Sequence, residues 1–294
     1  MSLSLNRRIL RVDISHSDGF KLNVDQQLAL EVTIEKNCLD PNTNATIVVY
    51  NLTDHQRNIL ITRVSKYNYW YNQNNLDNAR AWVTPVVISA GYKINKQEQV
   101  NLIFQGQLIT AELTSGPPDV GVRLMAITNY FSRSDFKFYQ LNSNLTYKQF
   151  ALWVGKQLNL TVNCNTLYDD QTITNAGIGA SNGQGLIAEL NQMFYSKTLA
   201  WVDNTILNVI DLGDQGIDDE LLDYDNFLGV PQYNETGAQF KIMFDHRVTV
   251  GKKVHLKSLL DPLTFHNQSF TVFKCLYRLT SRSNEFSVTA WCQQ

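Results

Sequence analysis

Strand-like segments at both ends of this 294-residue chain constrain its fold more than any other feature. Residues 9–14 and 28–34 alternate apolar and polar side chains over much of their length. Half-buried antiparallel strands show this alternation because successive side chains point to opposite faces of a sheet. Strand-like segments return at residues 240–244 and 286–291. The sequence therefore predicts an α+β, mostly β fold.

Two threonines mark the starts of predicted helices. Thr53 and Thr146 are each followed three residues later by a glutamine, Gln56 and Gln149, which is the spacing of a capping box. In a capping box the threonine oxygen accepts from the amide of the third helical residue, and the glutamine oxygen accepts from the threonine amide. The second box predicts a helix over residues 146–158.

The centre of the chain adds a second helix and a hairpin. In residues 183–194 the larger apolar side chains fall on one helical face. Residues 199–202 and 206–210 are typical of two paired strands, and Asp203-Asn204 between them tolerates the positive φ of a tight turn. The middle of the chain is therefore predicted to be a mixed α+β region.

These patterns predict three domains, two β domains at residues 1–130 and 233–294 with a mixed α+β domain at 131–232 between them. Short matches suggest that the two β domains form an internal repeat. A strand at 104–113 precedes Thr-Ser, just as a strand at 270–279 does, and the following strands carry Ala126 and Ala290.

Charge and apolar content exclude several classes of partner. A formal net charge of −2 with no dense Lys/Arg stripe gives no general attraction to phosphate, so we expect no sequence-specific nucleic-acid binding. No signal-peptide core or membrane-length apolar run is present, so we expect a cytosolic product without membrane insertion. The cysteines lie far apart without a CxxC pair, which favours reduced thiols over a zinc site: Cys38, Cys164, Cys275 and Cys292.

The acidic segment at residues 211–225 holds seven Asp or Glu residues and no base. It lacks the ligand spacing of an EF-hand loop, which favours a solvated loop over a calcium site. The glycine pairs at 177–179 and 183–185 lack a complete phosphate-binding motif and indicate a loop before a helix. We expect no metal site and no cofactor.

The order of segments resembles the central hub of contractile-tailed phage baseplates. The resemblance rests on the strand, break and Val250-Gly251-Lys252 strand within residues 239–256, and on the final strands that end at Trp291. The opening strands that lead through Asn51-Leu52-Thr53 into a helix are also similar to the start of such hubs.

This resemblance implies two related tube-type β-barrel domains separated by the mixed domain. It also implies a homotrimer whose pseudo-sixfold ring joins the sixfold tail tube to the threefold spike and leaves a channel for DNA. The implied partners are a central spike protein, a tail tube or tube-initiator protein and other baseplate subunits. The implied location is the tail baseplate of a virion assembled in the cytoplasm of a bacterial host. The implied role is structural, with no catalytic residue.

Two other functions remain open at this point. A peptidoglycan-degrading tail lysin would need a catalytic constellation, but the sequence has no HExxH and no GxSxG, and Cys164 has no histidine in the middle domain to activate it. A carbohydrate-binding module of a tail would stack sugars on exposed rings, for which Trp70, Tyr71 and Trp82 are the candidates.

Overall fold

The computed structural model describes thirteen stretches of the chain: 7–16, 19–25, 27–40, 42–64, 84–94, 96–128, 145–173, 183–195, 197–211, 220–222, 227–233, 237–257 and 268–293. The first stretches form seven strands and one helix: β1 Arg7–Ser15, β2 Lys21–Val24, β3 Leu30–Asn37, β4 Asn44–Tyr50, α1 Asp54–Arg63, β5 Pro85–Ile94, β6 Gln97–Ser115 and β7 Gly121–Ile127. The alternating segments of the sequence are thus strands, as predicted.

The remaining elements continue in the same order as the sequence patterns. The middle of the chain forms β8 Leu145–Thr146, α2 Tyr147–Leu158, β9 Thr161–Asn165, β10 Thr172–Ile173, α3 Gly183–Met193, β11 Thr198–Asp203 and β12 Ile206–Asp211. The C-terminal part forms β13 Glu220–Leu222, β14 Gln232–Tyr233, β15 Gly237–Met243, β16 Lys253–Leu256, β17 Gln268–Thr280 and β18 Phe286–Gln293. The mostly β fold is confirmed.

Both predicted capping boxes begin helices. Thr53 caps α1 and Thr146 caps α2, and each threonine oxygen accepts from the amide of the glutamine three residues on. The return bonds are also present, with the Thr53 amide 3.2 Å from Gln56 Oε1 and the Thr146 amide 3.0 Å from Gln149 Oε1. The boxes satisfy amides that the first turn of a helix leaves without an intrahelical partner.

The hairpin turn lies one residue later than predicted. Asp203 pairs with Ile206 and therefore belongs to β11, so the two turn residues are Asn204 and Thr205. Asn204 has a φ of 55°, the positive value expected for a tight hairpin.

One 13-stranded sheet contains strands from both ends of the chain. Its main path runs β14-β15-β18-β17-β3-β4-β7-β6-β5-β1-β2, and β16 and β13 extend it beside β17. Neighbours along the main path are antiparallel, whereas β13 is parallel to β16. The two predicted β domains therefore share a continuous backbone hydrogen-bond network.

Two hydrophobic cores are present in the described residues. The larger contains the inward side chains of the 13-stranded sheet together with Leu199, Trp201 and Ile210 of the hairpin. The smaller is built from α2, α3 and the opposite face of the β9, β11 and β12 sheet. The β11–β12 hairpin thus contributes alternate side chains to each core, as the two-residue period of a strand allows.

Candidate functional site at the junction of the β units

Strand β3 joins the N-terminal and C-terminal β units. On one side it pairs with β4, and on the other it pairs with β17 from Lys274 opposite Asn37 to Thr280 opposite Glu31. The first part of β17 pairs with β16 along the edge of β17 that β3 occupies further on. These pairs run from Gln268 opposite Leu256 to Thr271 opposite Lys253. An N-terminal strand therefore completes the edge of the C-terminal unit that β16 begins.

The two units contain four consecutive strands in the same spatial order. In the N-terminal unit, β4 pairs with β7, β7 with β6, and β6 with β5. In the C-terminal unit, β15 pairs with β18, β18 with β17, and β17 with β16. If the strands of each set are numbered along the chain, their order across the sheet is first, fourth, third, second. All of these pairs are antiparallel.

The third strand of each set also carries a β-bulge against the fourth. The register shifts between Leu108 and Thr110 in β6, and between Val272 and Lys274 in β17. Beyond the bulge, Leu113 lies opposite Val122, and Leu279 lies opposite Phe286. Counted from the bulge, Leu113 is equivalent to Tyr277, which lies opposite Val288, whereas the short matches in the sequence align Leu113 with Leu279.

The tip of the β11–β12 hairpin is bonded to the large sheet. Asp203 accepts from Lys36 of β3, with Nζ 2.7 Å from Oδ1 and 3.0 Å from Oδ2. The Lys36 side chain is 6% exposed and Asp203 is 20% exposed. Asn204 Oδ1 accepts from the Gln105 amide of β6 at 2.8 Å. Two adjacent residues at the tip of the hairpin thus bond the middle region to β3 and to β6 of the N-terminal unit.

Sequence reasoning missed this buried ion pair. Lys36 follows Val32 and Ile34 on the inward side of β3, and all three are buried. A lysine at an inward position of an alternating strand is a signal that its ammonium group has a buried partner, because an unpaired buried charge is very unfavourable. The sequence alone does not identify Asp203 as that partner.

The Val250-Gly251-Lys252 pattern has a structural reason. Gly251 has a φ of +81°, and a β-carbon added to it would lie 2.5 Å from Cη2 of Trp201. The Gly251 amide donates to the Val272 carbonyl, and the Val272 amide donates to the Lys252 carbonyl. Glycine at this position therefore lets the turn follow β17 closely while the buried indole of the hairpin packs on it.

The open face of the joined sheet carries paired charges, together with the exposed side chains of Met125 and Met243. Glu35 of β3 lies 2.5 Å from Lys274 of β17, and Glu285 lies 3.7 Å from Arg278 and 3.5 Å from Lys241. These pairs are partly exposed and contribute little to stability. Their main consequence is that positively and negatively charged side chains alternate on this face across the junction of β3 and β17.

Cys164 of β9 is held as a thiol. Its Sγ donates to Asp169 Oδ1 at 3.3 Å, and burial followed by the bond to this carboxylate raises its pKa to about 12. Asp169 is itself fixed by Lys148, whose Nζ lies 2.7 Å from Oδ2. A nucleophilic cysteine needs a lowered pKa, so this environment has the opposite effect.

The acidic segment differs from the predicted solvated loop at two places. Asp211 is buried, and its Oδ2 accepts from the Leu167 amide at 2.8 Å. Glu220–Leu222 forms β13 and pairs with β16. Strand pairing overrides local polarity here because β16 offers an open edge. The other acidic residues of the segment lie outside the described residues, within which no group of three or more His, Cys, Asp or Glu residues could hold a metal.

The histidines are dispersed. His246 is exposed beside Asp245, whereas His255 lies within β16 with Nδ1 3.1 Å from Ser269 Oγ. His16 is buried near the start of the chain, and His55 lies in α1. His266, the glycine pair at 177–179 and the aromatic candidates Trp70, Tyr71 and Trp82 lie outside the described residues.

In the part of the chain that the structure describes, no helix is long and apolar enough to cross a membrane.

Comparisons with known proteins point to tail proteins. A family model described as baseplate hub gp41 matches residues 9–292. The 43 kDa tail protein of prophage MuSo2 from Shewanella oneidensis is 9% identical with a TM-score of 0.58, over 97% of each chain. The tail protein from Neisseria meningitidis MC58 is 10% identical with a TM-score of 0.59, over 98% of this chain and 96% of that one.

A chain of the half-lidded Francisella PdpA-VgrG complex has the same fold. It is 8% identical with a TM-score of 0.60, and the match covers 99% of this chain and 58% of that one. No curated protein matches the sequence significantly. At these identities the likeness to the solved structures concerns the fold alone.

Proposed function

The chain belongs to the baseplate hub gp41 family, and from this premise we propose that three copies form a ring between the tail tube and the central spike of a contractile tail. Family membership makes the chain a structural component of a tail baseplate and thus of the virion tail. In the proposal, each copy supplies two related tube-type β-barrel domains, residues 1–130 and 233–294, to a pseudo-sixfold ring.

The observation that carries this proposal is the shared order of four strands in the two β units. A sixfold tube and a threefold spike cannot make equivalent contacts with the same single-domain ring. Three chains with two similar units each present six similar surfaces to the tube, while keeping true threefold symmetry towards the spike. The common bulge in the third strands supports the same relation.

We propose that the open face of the joined sheet lines a channel for DNA. A dense basic surface would retain the phosphate backbone, because each neutralised phosphate releases counterions and adds to binding. The open face instead pairs its bases with acids, as in Lys274 with Glu35. Such a face suits the passage of a polyanion and agrees with the expected lack of sequence-specific nucleic-acid binding.

The middle domain, residues 131–232, would lie at the periphery or on one face of the ring, apart from its last residues, where β13 and Gln232 of β14 pair with the large sheet. Its bonds to β3 and β6 through Asp203 and Asn204 suit a fixed orientation. There it would contact other baseplate subunits, while the ring contacts a central spike protein and a tail tube or tube-initiator protein. Assembly would take place in the cytoplasm of the bacterial host.

We propose a role without catalysis. The raised pKa of Cys164 supports this over a cysteine hydrolase. The described histidines also lie on separate elements, which supports it over a zinc-dependent tail lysin.

The ring is tested by the mass and symmetry of the purified assembly, alone and with its spike protein. We expect a particle of three times 33.6 kDa whose electron-microscopy projections show six similar lobes around a channel. Each interface between copies should bury more than about 1,000 Å². A dimer, a tetramer, or a trimer with only three lobes would contradict the proposal.

A further inference from the structure

The β3 junction within one chain provides a template for a contact between chains. There, the segment that precedes the first strand of the N-terminal unit runs antiparallel to that strand and also pairs with the third strand of the C-terminal unit. If units alternate around a ring, the C-terminal unit needs the same kind of link to the N-terminal unit of the next copy.

Residues 227–233, which we term the edge segment, occupy the position equivalent to β3. They precede β15 and pair antiparallel with it at both ends, as β3 pairs with β4, while between these ends the chain bends at Leu228-Gly229, where Gly229 has a φ of +106°. Phe227 bridges Ile242, the Leu228 amide donates to the Lys241 carbonyl at 2.7 Å, and Gln232 pairs with Gln239. The edge segment contains β14, the last strand of the sheet on that side.

The end of β6 occupies the position equivalent to the part of β17 that β3 covers. Tyr277 of β17 lies opposite Ile34 of β3 and is 1% exposed, whereas Leu113, the equivalent position of β6, is 59% exposed. Leu113 lies two residues after Ala111, whose amide donates to the Val64 carbonyl on the side away from β7. The backbone groups of Leu113 point to that same side, because peptide groups alternate along a strand.

The available part of the β6 edge is short. The Leu108 and Ala111 amides already donate to the Thr84 and Val64 carbonyls of their own chain. A strand from another copy would therefore add beyond them, between Glu112 and Ser115. This limits the contact to about four residues. The edge segment has the same number, residues 228–231, between its pairs with β15 at Phe227 and Gln232.

Apolar side chains lie on both surfaces. In the edge segment, Leu228 is 44% exposed and Val230 is 60% exposed, and they flank Gly229. On the other surface, Leu113 presents apolar area near the end of β6. Exposed aliphatic residues on a sheet edge are a liability unless another strand covers them.

We propose that the edge segment of one copy adds as an antiparallel strand to residues 112–115 of β6 in the next copy, covering Leu113 with Leu228 and Val230. The occupant is a second copy of this chain, and the inference rests on the proposed ring. The contact is head to tail, so three copies close into a ring with three identical contacts. Pro231 has no N–H and the Leu228 N–H is already donated to Lys241, so the aliphatic side chains supply most of the affinity and the remaining backbone groups supply the register.

Thiol cross-linking tests the contact directly. A chain carrying both Leu113→Cys and Val230→Cys is treated with a short bismaleimide reagent and run on a denaturing gel. We expect covalent dimers and trimers from the double variant and only monomers from either single variant. Three native thiols are buried and the Cys164 pKa is raised to about 12, so their background reaction is slow.

Charge substitutions provide an independent measurement. Leu113→Glu and Val230→Glu alter exposed side chains, so both variants should fold. Each should raise the concentration at half-assembly at least ~10-fold, since a contact that costs about 1.4 kcal/mol changes an equilibrium tenfold. Leu167→Glu, at a position 78% exposed in the middle region, is the matched control and should leave assembly unchanged.

The outcomes separate this contact from the ring itself. A trimer that forms in the Glu variants as in the native chain, without cross-links in the double Cys variant, overturns the contact and leaves the ring intact. A chain that stays monomeric at all concentrations, alone and with its spike, and gives no cross-link counts against both.

Discussion

Replacement of Gly251 by alanine tests how the middle region is locked to the large sheet. The added β-carbon would lie 2.5 Å from Cη2 and 2.6 Å from Cζ2 of Trp201, well inside the usual carbon contact distance of about 3.5–4.0 Å. Trp201 is buried, so the indole cannot move away without shifting its neighbours. Overpacking of this kind costs about 1–3 kcal/mol.

The backbone adds a second cost. Gly251 has a φ of +81°, and a left-handed conformation costs a residue with a β-carbon about 1–2 kcal/mol. Together the two effects predict a loss of about 2–5 kcal/mol in the free energy of unfolding. Gly19→Ala is the matched control, because Gly19 has a φ of +92° and no atom within 4 Å of the added carbon. It should show the backbone cost alone.

Urea unfolding followed by tryptophan fluorescence measures both variants. We expect Gly251→Ala to lower the midpoint clearly more than Gly19→Ala does. In a Trp201→Leu background the additional cost of Gly251→Ala should fall to that of Gly19→Ala, because the atoms that clash are gone. Equal midpoints for the two glycine variants in the native background would refute the packing argument.

Three further predictions concern the same framework. Asp203→Asn leaves Lys36 buried without its anionic partner, so we expect a loss of about 3 kcal/mol in urea unfolding, and a loss below about 1 kcal/mol would contradict the buried pair. Burial raises the pKa of Asp169, but bonds from Lys148, Thr166 and Cys164 outweigh this and hold it below the ordinary 3.8. The lowered pKa contributes stability above about pH 4 that is lost as the pH falls further, so Asp169→Asn should flatten the decline of the urea midpoint below pH 4, and an unchanged decline would count against it. Thiol titration should find four reduced cysteines in unfolded protein but slow reaction in the folded protein, since burial raises the pKa of the Cys38 and Cys275 thiols to about 12; rapid reaction of all four thiols in the folded state would be inconsistent with this packing.

The sequence alone determined the local elements. Capping boxes at Thr53 and Thr146 fixed two helix starts to the residue, because the bonds that define them join residues three positions apart. The alternation in β3 fixed which side chains face the core, since a strand has a period of two. The family resemblance also came from segment order and the Val250-Gly251-Lys252 pattern, without a catalytic motif to support it.

Long-range pairing was decided by the tertiary structure alone. Backbone amides and carbonyls are chemically the same in every strand, so no local pattern states that β3 pairs with β17 more than 200 residues away, or that β13 lies along β16. The same reason hides the partner of Lys36 and the indole over Gly251, both of which come from the β11–β12 hairpin. Local periodicity specifies which face of a strand is buried, whereas the strand at its edge is selected by the packing of the whole chain.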